Sequence, residues 1–157
     1  MSENAQAAYE ALQELIGQQP VAGDWFEVTQ EQINAFADAT LDHQFIHIDP
    51  ERAAQTPFGG PIAHGFLTLS MLVHLSTTIP SDFTKLDGVL MGVNYGMNKV
   101  RFVNPVPAGA RIRATAATVN VELKGNAVDQ TRAMTVEIEG VDKPALIAEW
   151  IGRTVFA

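Results

Sequence analysis

Two acids and two imidazoles crowd one short segment of this chain: Asp42-His43-Gln44-Phe45-Ile46-His47-Ile48-Asp49-Pro50. A carboxylate and an imidazole on one loop can converge on a single water molecule. They can also move protons near neutrality, because an unperturbed imidazole titrates at ~6.5. Not every member needs a chemical role. Asp49 is accounted for as a helix cap before Pro50, and His43 as a solvated side chain. For Asp42 and His47, residue types alone leave a catalytic and a chemistry-free account equally open. A divalent cation on His43, His47 and Asp42 or Asp49 is a third account. It lacks a third ligand at fixed spacing, so no metal is expected.

A second candidate is Gly65, in Pro61-Ile62-Ala63-His64-Gly65-Phe66. If an apolar helix starts there, its first N–H groups have no partner within the helix. A glycine lets a ligand come close, and the helix end favours developing negative charge. That suits the oxygen of a polarised carbonyl. The plainer account is a glycine that relieves packing where loop meets helix. His64 itself reads as a core or boundary residue. Four bases form a third group. Lys99 and Arg101 are two apart, as are Arg111 and Arg113 on the next predicted strand. They are either an anion site or solvated faces with cross-strand partners.

The elements that must hold these residues follow from periodicity. Residues 3–17 place Ala7, Ala11, Leu12, Leu15 and Ile16 near helical spacing. Trp25 to Val28 reads as a short strand. Thr29 and Gln32 form a capping box for a helix over 30–39. Residues 41–49 read as irregular, followed by a short helix from Pro50. Residues 65–78 are apolar on nearly all sides, which predicts a helix swallowed by the fold. Strands follow at 89–102, bent near Gly92 and Gly96, then at 111–123, 131–139 and 145–156, with a turn at Gly125-Asn126. One apolar helix followed by a long antiparallel meander predicts an α+β fold, its sheet wrapped around the helix.

Composition narrows the function. The 157 residues carry a net charge of -8. Residues 1–51 hold ten acids and no Lys or Arg, so every base lies beyond them. That balance argues against a nucleic-acid binder, which needs a basic face. The absence of cysteine removes disulfides, thiolate metal sites and a Cys nucleophile. Residues 1–18 are polar and lack a basic start, unlike a secretory signal. The most apolar run, 66–75, is too short to span a bilayer. A cytoplasmic protein without membrane contact is therefore expected. No Gly-x-Ser-x-Gly elbow, Walker loop or dinucleotide fingerprint is present, which leaves no expected redox cofactor.

Two blocks taken together resemble a known family. Phe36-Ala37-x-Ala39-Thr40-x-Asp42-x4-His47-x-Asp49-Pro50 and Pro61-Ile62-Ala63-His64-Gly65 look like the MaoC-like (R)-specific enoyl-CoA hydratases, NodN-like branch. The resemblance covers Trp25 to the C-terminus. It implies a single hot-dog domain over 1–157, with a helical extension at about 1–20, forming a homodimer. It implies hydration of trans-2-enoyl-CoA to (3R)-3-hydroxyacyl-CoA, with coenzyme A present only as part of the substrate and neither cofactor nor metal. Asp42 and His47 match the catalytic pair, and Gly65 the glycine whose N–H holds the thioester oxygen. Many members place Asn-Pro between the Asp and the His, where this chain has Gln44-Phe45. Gln44 keeps an amide that can orient the loop or water. Lys99, Arg101, Arg111 and Arg113 would then be candidates for the CoA phosphates. A hot-dog thioesterase is the alternative enzyme, although the predicted central helix carries no acid. A non-catalytic acyl-thioester binder is the other alternative.

Overall fold

The structure is a computed structural model that describes residues 2–80 and 86–157. It begins with helix α1 (Glu3–Gln13), two short strands β1 (Val21–Ala22) and β2 (Phe26–Glu27), and helix α2 (Gln30–Thr40). Two single-turn helices follow, α3 (Phe45–Ile48) and α4 (Pro50–Ala53). The apolar segment forms α5 (Gly65–Ser70) and α6 (Leu72–Ser76). Four long strands complete the chain: β3 (Val89–Phe102), β4 (Arg111–Lys124), β5 (Ala127–Ile138) and β6 (Val141–Phe156).

All six strands join one antiparallel sheet, in the order β1-β4-β5-β6-β3, with β2 also on β4. The expected meander is thus real for β4, β5 and β6. β3 departs from it: it pairs with β6 at the far edge and not with β4, the next strand in sequence. Leu67, Met71, Leu72 and Leu75 of the central helix pack on Ile112, Met134, Val136, Leu146 and Trp150 of the sheet. Leu72 is fully buried, and such a side chain stabilises the fold by roughly 1.5–3 kcal/mol. A sheet wrapped around an apolar helix is what the residue pattern predicted, and it is the hot-dog arrangement that the family resemblance implies.

Three expectations need correction. The central helix is not one regular element from 65 to 78. It is interrupted at Met71 and ends at Ser76. Nor is it covered on all sides, since Phe66 is 67% and Val73 49% exposed. Third, residues 41–49 are not wholly irregular, because α3 occupies part of them. The capping box is present as read: the Thr29 hydroxyl accepts from the Gln32 N–H, and the Thr29 N–H donates to the Gln32 amide oxygen. Asp49 caps α4 by accepting from the Arg52 N–H at 3.0 Å, with Pro50 in the first turn. A second, smaller core, with Ala5, Ala8, Leu12, Val121, Val128 and Phe156, fastens α1 to the sheet.

Candidate active site

Asp42 and His47 are held by different local devices. α2 ends at Leu41, whose φ of 62° turns the chain sharply. A leucine in the left-handed region carries a cost that glycine avoids. That turn leaves Asp42 exposed at the start of the loop. The Gln44 N–H points at the Asp42 carboxylate from 3.4 Å. Gln44 precedes α3, and its carbonyl accepts from the His47 N–H at 3.0 Å. One helical turn thus carries His47 inward, to 6% exposure. Gln30 on α2 ties down the same turn by donating to the His47 carbonyl at 2.7 Å.

The His47 ring is fixed by the strand-like segment before α5. Its Nδ1–H donates to the Ile62 carbonyl at 2.6 Å. That bond sets the tautomer and leaves Nε2 as the basic nitrogen. Burial lowers the His47 pKa from its ordinary value, and the neighbouring His64 ring lowers it further. The Ile62 bond and the Asp42 charge act in the opposite direction. The lowered value means that His47 stays neutral, and able to accept a proton, at pH values where a free imidazole is already protonated.

His64 has a second role that residue types alone do not show. It is buried, as a core residue would be, but it is also wired to the acid loop. Its Nε2–H donates to the Asp42 carbonyl at 2.9 Å. Its ring stacks on His47, with centroids 3.8 Å apart and planes 25° from parallel. Phe36 closes the other side at 4.9 Å. No spacing rule links His64 to Asp42 across 22 residues; only the folded chain does. The structure therefore gathers Asp42, His47 and His64, with one ligand-type atom of each within 4.8 Å of the others. His43 stands apart and bonds Asp38 at 2.8 Å. The stacked planes make a poor chelate for one cation, because imidazole lone pairs lie in the ring planes.

Gly65 opens α5 directly after His64. A Cβ added there would lie 2.9 Å from two ring atoms of Phe102. The packing explanation for this glycine therefore holds at Phe102, whatever else its N–H does. Gly65 also borders a cavity of about 230 Å³, with Phe58, Ile62, Thr68, Phe102 and Val106 among its lining.

The four bases do not form one cluster, and three of them have the acidic partners that the solvated-face reading expects. β3 and β4 are separated in the sheet by β5 and β6. A register shift between Asn98 and Arg101 breaks simple alternation along β3, with Lys99 at a φ of 51°. Lys99 pairs with Glu149 at 2.7 Å, Arg111 with Glu139 at 2.9 Å and Arg113 with Glu137 at 2.6 Å. Arg101 is exposed and donates to the Val100 carbonyl at 2.7 Å; no acid partners it among the described residues.

Comparison with known proteins agrees with this fold. The family model described as "MaoC like domain" matches residues 11–141. The chain belongs to the MaoC-like dehydratase family. Among its relatives, it is 52% identical over 146 residues to the 3-hydroxyacyl-thioester dehydratase Z of Mycobacterium tuberculosis (strain ATCC 25618 / H37Rv), covering 92% of this chain and 91% of that protein. It is 45% identical to nodulation protein N of Rhizobium meliloti (strain 1021), covering 90% of this chain and 88% of that protein. Its fold matches the (R)-hydratase from A. caviae involved in PHA biosynthesis, with a TM-score of 0.67 at 23% identity, over 85% of this chain and 92% of that one.

Proposed function

We propose that this protein hydrates trans-2-enoyl-CoA to (3R)-3-hydroxyacyl-CoA, and catalyses the reverse dehydration, without a metal or redox cofactor. The observation that carries the reading is the convergence of Asp42 and a tautomer-fixed His47 beside the start of α5. Asp42 takes a proton from a water that His47 Nε2 helps to orient. The water oxygen bonds to the β-carbon while the alkene electron pair moves toward the thioester oxygen. The Gly65 N–H stabilises that enolate-like oxygen. A proton shared between the pair is then returned to the α-carbon, so water has added across the double bond. Gln44 helps to set the loop through its backbone, whose N–H points at Asp42 and whose carbonyl accepts from His47, while its side-chain amide makes no hydrogen bond among the described residues. Arg101 is the leading contact for the CoA phosphates, because Lys99, Arg111 and Arg113 each already pair with a glutamate.

A homodimer belongs to the same reading. β3 is a 14-residue edge strand, and Leu90, Met91, Val93, Tyr95 and Phe102 on it are all exposed. A long apolar edge of this kind favours pairing with another chain. A thioesterase reading finds no support in the central helix, since α5 and α6 contain no Asp or Glu.

The test is a hydration assay on 2-enoyl-CoA substrates of increasing chain length, with chiral analysis of the product. The expected result is loss of enoyl-thioester absorbance and a product of (3R) configuration. Release of free thiol, or a (3S) product, would overturn the proposal.

A further inference from the structure

At the opposite end of the central helix, a half-buried arginine borders an open cavity. Arg132 lies on β5 directly opposite Thr118 of β4 and Trp150 of β6. Its guanidinium sits over the Trp150 ring, 4.6 Å from the centroid. Together with Gln130 and Thr118 it borders a cavity of about 270 Å³, between the sheet, the end of α1 and the end of α6. Leu12, Leu15 and Ile79 form part of the apolar remainder of the lining.

The polar side chains of Arg132, Gln130 and Thr118 bring donors to this cavity, and no acid is part of its lining among the described residues. No acid pairs with Arg132 among the described residues. The neighbouring acids of β5 are committed elsewhere: Asp129 holds Arg153 at 2.6 and 2.7 Å, and Glu137 holds Arg113. Gln130 donates its amide to the Thr118 hydroxyl oxygen at 2.8 Å, which leaves the Thr118 hydroxyl hydrogen available to another acceptor. The indole N–H of Trp150 is buried without an acceptor among the described residues. Burial alone pushes the Arg132 pKa down, yet an arginine keeps its charge in proteins. The side chain is half-buried, and the hydration it loses is costly where no acid of the described residues compensates. The stack on Trp150 offsets only part of that cost.

We infer that the cavity at Arg132 binds a small organic carboxylate with a short apolar tail, at a site distinct from Asp42 and His47. The carboxylate takes the two-pronged guanidinium and the Thr118 hydroxyl, and its tail lies against Leu12, Leu15 and Ile79. The cavity is separate from the one beside Gly65; Leu72 and Met134 belong to the packed core and to neither lining. The inference is independent of the hydratase proposal.

The Arg132–Trp150 stack provides the readout. The chain has two tryptophans, so Trp25→Phe leaves Trp150 as the only reporter. Titration of this variant with hexanoate is expected to give a saturable change in emission, and hexanamide a response at least ten-fold weaker. Adding Arg132→Gln is expected to weaken hexanoate binding at least ten-fold, and Thr118→Val to weaken it by a smaller factor. Asp42→Asn is expected to leave it unchanged. The site is refuted if hexanoate gives no saturable change, if hexanamide matches it, or if Asp42→Asn abolishes the response. Should Arg132→Gln fail to fold, Arg132→Lys with retained binding and Thr118→Val with weakened binding support the site. Unchanged binding in Arg132→Gln or in Thr118→Val overturns it.

Discussion

The two ends of the central helix hold their polar groups to different degrees. At the Gly65 end, His47 donates to Ile62, His64 donates to Asp42, and the two rings stack on one another. Both rings are held there by one hydrogen bond each, with His64 Nδ1 the one buried side-chain nitrogen of the pair left without a partner among the described residues. At the Ser76 end, Arg132 and Thr118 border a cavity with no acid paired to Arg132 among the described residues. The difference teaches that the same sheet can hold chemistry and hold a ligand by different means. Chemistry needs side chains whose geometry is set before substrate arrives. A ligand site needs groups still lacking partners.

The largest effect that would sharpen this contrast is at Gly65. Alanine there forces the Phe102 ring aside and disturbs the N–H assigned to the thioester oxygen. A loss of about 10²–10³ in kcat is expected, the scale seen for a lost oxyanion donor, with a modest change in melting temperature. Wild-type kcat in Gly65→Ala would leave this glycine with packing alone.

A smaller effect is expected from His64→Phe, which keeps an aromatic ring against His47 and Phe36 but cannot donate to Asp42. Roughly 1 kcal/mol of stability should be lost with that hydrogen bond, read by chemical denaturation. Its pH profile discriminates better than its rate. Because burial lowers the His47 pKa, the acid limb of kcat/KM in the parent protein should lie below ~6.5. Since the folded value is below the unfolded one, stability from neutral His47 is complete above ~6.5 and is lost as pH falls through the folded value. His64 contributes to that lowering, so the limb should move to higher pH in His64→Phe. An unmoved limb would make His64 a packing residue only.

The smallest expected effect is at the other end. Arg132→Met removes an unpaired cation and keeps its bulk against Trp150. Stability should be unchanged, or raised by about 1 kcal/mol, measured as the denaturation midpoint. A loss of several kcal/mol would mean that Arg132 has a structural partner.

How much of this was legible in the residues depends on the range of the interaction. The capping box at Thr29 and the Asp49 cap were readable because both partners lie within three residues. The long strands were readable from alternation and turn signals. Their order was not: β3 sits beside β6 rather than β4, and no local pattern records that choice. That order separates the bases, since Lys99 and Arg111 are near in sequence but three strands apart across the sheet, and the reading of solvated faces with cross-strand partners is the one the ion pairs follow. His64 and Arg132 were under-read for the related reason that their partners, Asp42 and Trp150, lie 22 and 18 residues away. The helix at Phe45–Ile48 was missed because a single turn offers too few residues for periodicity. The exposed Phe66 and Val73 were missed because an apolar run does not say which of its sides the sheet leaves bare.

One measurement bears most directly on the convergence of Asp42 and His47. Crotonyl-CoA hydration is followed in the parent protein, in Asp42→Asn and in His47→Ala, with folding checked by circular dichroism. The expected result is a loss of about 10²–10⁴ in kcat for each variant, with both remaining folded. Parent-level turnover in both variants would contradict the assignment and leave the site without its proposed chemistry.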